Sequence, residues 1–168
     1  MNNYFKVDAL NQYIIGEKEG CELLKNSNEY AQNDEEITSD INADVYINNR
    51  INLLNKITEY ASTGNTYIII NSKAYKRDRY QSGLIKKYRG NKCQFYSHTI
   101  RKQNGEYYIE ASRITSKLEG GDEKLENILV LYPNCHKLFD LGSREKIERT
   151  KTKYSVKLNG EEYFITLD

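Results

Sequence analysis

Residues Leu131–Phe139 read LYPNCHKLF. Pro133 suits the first turn of a helix, where the N–H that proline lacks would have no intrahelical partner. The predicted helix starts near Pro133, ends by Gly142, and carries Cys135 and His136 side by side. A metal site built at such a helix start usually has another Cys about three residues earlier. That position is Tyr132. The stretch is half of a pattern, and the other half must be sought in its surroundings.

Working outward, residues 127–132 are apolar and extended. Before them, strands over 93–101 and 107–114 flank the polar turn KQNG, and SKLEGGDEKLE reads as a glycine-containing loop. After them, YSVKL-NG-EEYFITL alternates apolar and polar residues around Asn159-Gly160, the signature of a type I′ hairpin. Upstream, RYQSGLIKKYR (79–89) predicts a basic amphipathic helix with Leu84, Ile85 and Tyr88 inward and Gly90 as its stop. TYIII (66–70) reads equally as a buried strand or an apolar helical turn. Ile37, Ile41, Val45, Leu53, Leu54, Ile57 and Ala61 recur near the helical period and predict one long helix, closed at Gly64. Residues 1–35 are the least legible: Leu23-Leu24 suit a short helix, and NSNEYAQNDEE reads as a polar linker.

The chain has 168 residues, enough for one domain, or one domain with a helical extension. No apolar run approaches the ~18 residues of a membrane span, so no membrane partner is expected. The N-terminus MNNYFKVDAL lacks the basic-then-apolar layout of a signal peptide. Three cysteines, Cys21, Cys93 and Cys135, make no disulfide framework, so a reducing, cytoplasmic location is expected. A net charge of +1 hides an uneven distribution: residues 1–45 hold 10 acids against 3 bases, and residues 73–102 hold 10 bases against one acid, Asp78. Such asymmetry points to a surface for an anionic partner.

Residues 92–142, KCQFYSHTIRKQNGEYYIEASRITSKLEGGDEKLENILVLYPNCHKLFDLG, resemble the HNH nuclease family, whose core is the ββα-metal fold. The matching positions are Glu110-Ala111, Ile114, Gly120-Gly121-Asp122, Asn127, Leu131, Pro133, Cys135-His136 and Phe139-Asp140. The intervals also fit, with 14 residues from position 113 to Asn127 and nine from there to His136. Tyr75-Lys76-Arg77 and LIKKYRGNKCQ resemble the lead-in of restriction-type members. The resemblance implies an α+β fold with a ββα-metal core (92–142) inside a domain spanning 66–168. It would carry an acidic, mainly helical extension (1–65) and a C-terminal β-hairpin (153–167).

The departures fall on the chemistry. In the family, a His ending the hairpin pair activates water; here it is Arg113. The preceding metal-binding His or Asp is Ser112. Imidazole can take a proton near neutral pH, whereas a guanidinium cannot. The resemblance leaves His136 as the retained metal ligand, Asp140 one turn later as a second, and Asn127 as a loop brace or ligand. One divalent metal at His136 is therefore the implied cofactor, to stabilise a leaving oxygen. The family's structural zinc sits on four cysteines, but the equivalent positions are Cys93, Tyr96, Tyr132 and Cys135. Two thiols do not close a tetrahedral site. No structural zinc is expected, and Tyr96 and Tyr132 should fill the space by packing. His98 at Cys93-x4-His98 is a further candidate ligand.

Each reading has a plainer one beside it. Cys93 and Cys135 suit buried apolar positions. Arg113 would serve equally as a phosphate-binding Arg or in a salt bridge with Glu110 or Asp140. Tyr75, Tyr80 and Tyr88 could stack on bases or pack the helix. Lys76, Arg77, Arg79, Lys86, Lys87, Arg89, Arg101 and Lys102 form the candidate nucleic-acid surface, where Lys and Arg would hold phosphate without reading sequence. Three functions follow: a DNA-binding protein on a degenerate HNH fold, with a homodimer or a partner nuclease subunit as possible assemblies; an active metal-dependent restriction-type DNase; or a protein-interaction module on the same scaffold.

Overall fold

The computed structural model describes residues 34–64, 67–70 and 73–168. The expected short helix and linker before residue 34 lie outside them, as does most of the acidic segment. The chain is mixed α+β and forms two compact units, the first ending at Gly83 and the second beginning at Leu84.

In the first unit the single long helix expected over 37–61 is two. α1 spans Asp34–Ala43 and α2 spans Arg50–Ser62, with a 3-10 turn at Tyr46–Asn48 between them. Two short polar side chains make the break. Asp44 Oδ1 accepts the Tyr46 N–H at 2.9 Å, and Asn49 caps α2 by accepting the Ile51 N–H at 2.8 Å. Such side chains offer the backbone a local alternative to the helix. Val45, placed on the apolar stripe by its spacing, is consequently 82% exposed. The buried stripes are Ile37 and Ile41 on α1, and Leu53 and Ile57 on α2. TYIII resolves as a strand: β1 (Tyr67–Ile70) pairs antiparallel with β2 (Lys73–Lys76). α3 (Arg77–Tyr88) follows. Its Gln81 donates to the Ile57 carbonyl at 2.7 Å. A Cβ on Gly83 would come within 2.6 Å of Ile41 Cδ1, so α3 packs there without a side chain.

In the second unit the strand expected over 107–114 divides at Ile109. β3 (Ile100–Arg101) and β4 (Tyr107–Tyr108) form a two-residue ladder. β5 (Glu110–Arg113) instead pairs with β6 (Ile128–Leu131), in register Glu110↔Leu131 and Arg113↔Ile128. All four β6 side chains are buried, each contributing about 1.5–3 kcal/mol of transfer free energy. The strand expected over 93–101 exists only at its last two residues. Gln94 takes the strand's place on the open edge of β6. Its N–H donates to the Val130 carbonyl at 2.9 Å, and its Oε1 accepts the Val130 N–H at 2.7 Å. One side chain thereby completes a ladder rung that would otherwise be orphaned.

α4 (Pro133–Leu141) follows β6 as expected and touches both β5 and β6. Three antiparallel strands close the chain: β7 (Arg144–Arg149), β8 (Lys153–Leu158) and β9 (Glu161–Thr166). The β8–β9 hairpin is the expected one, with Asn159 and Gly160 at φ of 48° and 94°. Both left-handed residues are what a type I′ turn requires. β7 was not anticipated, because REKIER is charged and exposed along its whole length. No helix among the described residues is long and apolar enough to cross a membrane.

Candidate functional site

Three of the residues marked by the sequence, Glu110, His136 and Asp140, meet where β5 faces α4. His136 lies in the first turn of α4. Its Nδ1 is 2.7 Å from Glu110 Oε2 on β5, and its Nε2 is 3.2 Å from Asp140 Oδ2, one turn along the same helix. Each ring nitrogen of His136 thus faces a carboxylate. The Tyr108 hydroxyl donates to the other Glu110 oxygen at 2.7 Å. Burial works to raise the Glu110 carboxyl. The hydrogen bonds from Tyr108 and His136, with the charges of His136 and Lys137, outweigh it and hold that carboxyl below its ordinary value.

The test of a metal here is whether donors converge. Asp140 and Glu110 lie against different nitrogens of one imidazole, so the three groups do not face a common point. Among the described residues no group of three or more His, Cys, Asp or Glu is arranged to hold a metal ion. Ser112, at a family ligand position, is buried. His136 Nε2 and Asp140 supply two donors from one helix turn, short of a set that would retain a cation by itself. No step through a metal is derived.

Arg113 turns away from both carboxylates named as its candidate partners. It binds Glu123 instead, through Nε at 2.7 Å and through Nη2. Glu123 is buried, and Lys117 lies 3.6 Å from the same oxygen. Nothing in GGDEK distinguishes Glu123 from its acidic neighbours, so the sequence carried no signal for this pair. Asn127 is a brace. It is 2% exposed and makes four side-chain hydrogen bonds. Oδ1 accepts from the Thr115 N–H and Arg149, both at 2.9 Å. Nδ2 donates to the carbonyls of Thr115 at 3.1 Å and Asp122 at 2.8 Å. Arg149, on the unanticipated β7, also reaches Thr115 Oγ1 at 2.6 Å. The loop is close enough that a Cβ on Gly121 would fall 1.9 Å from the Thr115 carbonyl oxygen.

Cys93 and Cys135 are free, buried thiols. Burial first, and then the adjoining Cys93 thiol, push Cys135 up to about 12, which keeps it protonated. The Tyr96 hydroxyl meets that of Tyr163, and its ring lies 6.1 Å from His98. Tyr132 packs edge-on to His98 at 6.4 Å. Both tyrosines thus make aromatic contacts with His98.

The basic candidates separate by environment. In the first unit Arg77 donates to the Thr63 carbonyl and to Asp78, Lys76 is half-exposed and Arg79 is exposed. In the second, Lys86 and Lys87 are half-buried, Arg101 is exposed, and Lys102 is 2.8 Å from Glu106. Arg89 has an internal role. It donates to the carbonyls of Ile128, Leu125 (2.9 Å) and Leu167 (2.7 Å), and to Gln94 Oε1 (3.0 Å). Burial lowers its guanidinium to about 10. Its Nη1 and Nη2 donors are thus engaged within the fold, where a planar fork serves several carbonyls at once. Tyr75, Tyr80 and Tyr88 are buried, so of their two readings the packing one holds. No protein-family model matches the chain, nor does any curated protein or solved structure with which it was compared.

Proposed function

We propose that this chain is a duplex-DNA-binding protein on an HNH-like ββα unit whose cleavage chemistry is lost. The observation that carries the reading is the state of the two key positions. His136 is bracketed by Glu110 and Asp140, and Arg113 is committed to Glu123. A guanidinium has no lone pair with which to take a proton from water, and both ring nitrogens of His136 already face carboxylates. Support for the ββα reading comes from the order β5, β6, α4 and from the motif intervals. Support for an anionic partner comes from the 10-to-one excess of bases over acids in residues 73–102. The binding is electrostatic, so affinity falls steeply with salt.

Two assays test this. Plasmid is incubated with Mg²⁺, Mn²⁺, Ni²⁺ or Zn²⁺ and wild type, His136→Ala or Arg113→His. Wild type is expected to leave the plasmid intact. Metal-dependent nicking that disappears in His136→Ala would establish the active-nuclease reading instead. A gel-shift series on duplex DNA in rising salt, repeated with Lys86→Glu/Lys87→Glu, tests binding. Affinity unchanged by the double reversal sinks the DNA reading and favours an interaction module.

A further inference from the structure

The tyrosines exposed in the second unit are not the ones marked by the basic helix. Tyr107 and Tyr108 on β4 are 49% and 43% exposed, Tyr96 is 44% exposed, and Ile100 on β3 is 39% exposed. The β3–β4 hairpin is wet on both faces. A two-residue ladder with both faces in water gains little from its own packing, so the half-exposed Tyr107 ring contributes little to stability. Directly opposed residues share a face, which puts Arg101 with Tyr107 and Ile100 with Tyr108. Two of the rings are held by their hydroxyls, Tyr108 to Glu110 and Tyr96 to Tyr163. Their orientation is therefore set while their surfaces stay open. From Lys92 to Tyr108 the chain holds three cations and one acid, Glu106.

We propose that the face of this hairpin that carries Arg101 and Tyr107 is a stacking platform for a base of an unpaired DNA strand, with Arg101 supplying the cation beside Tyr107. The inference rests on the DNA-binding reading above and deepens it by naming what the second unit contacts. A flat aromatic ring gains from a base only when the base face is open. Within a duplex those faces are already covered by neighbouring bases, so the platform selects single-stranded segments.

The test uses the full chain and three labelled probes of the same sequence: a blunt duplex, that duplex with a DNA overhang of about six nucleotides, and the duplex with an RNA overhang. The DNA overhang is expected to bind more tightly than the blunt duplex. Tyr107→Ala should weaken the overhang probe by roughly 5- to 150-fold, the range for loss of one stacked base, and leave the blunt duplex unaffected. Tyr107→Phe keeps the ring and should restore binding. Equal affinity for blunt and overhang probes, or no effect of Tyr107→Ala on a folded protein, overturns the platform and leaves the DNA reading intact. Tighter binding to the RNA overhang overturns the choice of DNA. No binding to any probe overturns both readings.

Discussion

Replacing Arg89 separates two roles that the sequence alone cannot tell apart. As a surface phosphate contact, Arg89→Ala would reduce DNA affinity and flatten the salt dependence by about one counterion, with little change in stability. The structure assigns the opposite outcome. The guanidinium serves the carbonyls of Leu125, Ile128 and Leu167 and the Gln94 side chain. Each buried acceptor left without a donor costs about 1–3 kcal/mol. Three carbonyls, partly rescued by water at this half-buried site, give a destabilisation of about 3–5 kcal/mol. The loss also frees the end of β9, because Leu167 follows that strand directly and Gln94 Nε2 holds the Thr166 carbonyl at 2.8 Å. For a unit of this size about 3 kcal/mol corresponds to a Tm lower by roughly 12–24 °C. Arg89→Lys should recover only part of it, because an ammonium cannot span carbonyls that a planar fork reaches together. Urea unfolding and calorimetry read the stability, and gel shift on the folded fraction reads binding. A variant within about 0.5 kcal/mol of wild type that has lost DNA affinity would refute the assignment.

Asn127→Asp keeps the acceptor for Thr115 and Arg149 but turns two donated hydrogen bonds into oxygen–oxygen contacts with the carbonyls of Thr115 and Asp122. It should cost about 2–4 kcal/mol, and Asn127→Ala a similar amount, both read by urea unfolding. A neutral Asn127→Asp would refute the brace and revive the metal-ligand reading. Glu110 sets a pH dependence. Its folded pKa is depressed below the ordinary 4.5, so its contribution is full above that value and is lost as pH falls through the folded pKa. The stability advantage of wild type over Glu110→Gln should therefore shrink on acidification below about 4.5. An advantage that grows in acid would show that the Glu110 contacts with His136 and Tyr108 do not hold the carboxylate.

The second half of the chain was the more legible in sequence because its signals are local. Asn159-Gly160 needs two left-handed residues, and only a few residue types adopt that conformation cheaply. Pro133 opens α4 in its first turn, and Gly142 ends it where a Cβ would fall 2.5 Å from the Leu138 carbonyl oxygen. Asn127 and His136 were found by their intervals, and both proved to be inward-facing polar residues with several partners. The first half misled where propensity was spread thin. The periodic apolar spacing continued through Val45, but Asp44 and Asn49 ended the helix by bonding to the backbone themselves.

By itself the sequence determined where strands, turns and helices could form, and which positions near His136 lacked a base. The tertiary structure alone decided the partners. Arg113 found Glu123 ten residues away, Arg89 reached carbonyls up to 78 residues away, and Gln94 took the place of a strand. The physical reason is the same in each case. A buried charge or an orphaned backbone group must be satisfied by whatever the fold brings within about 3 Å, and that is not encoded in local spacing. Exposure divided the tyrosines in the same way: those on the basic helix became core, and those on a two-residue hairpin were left facing solvent.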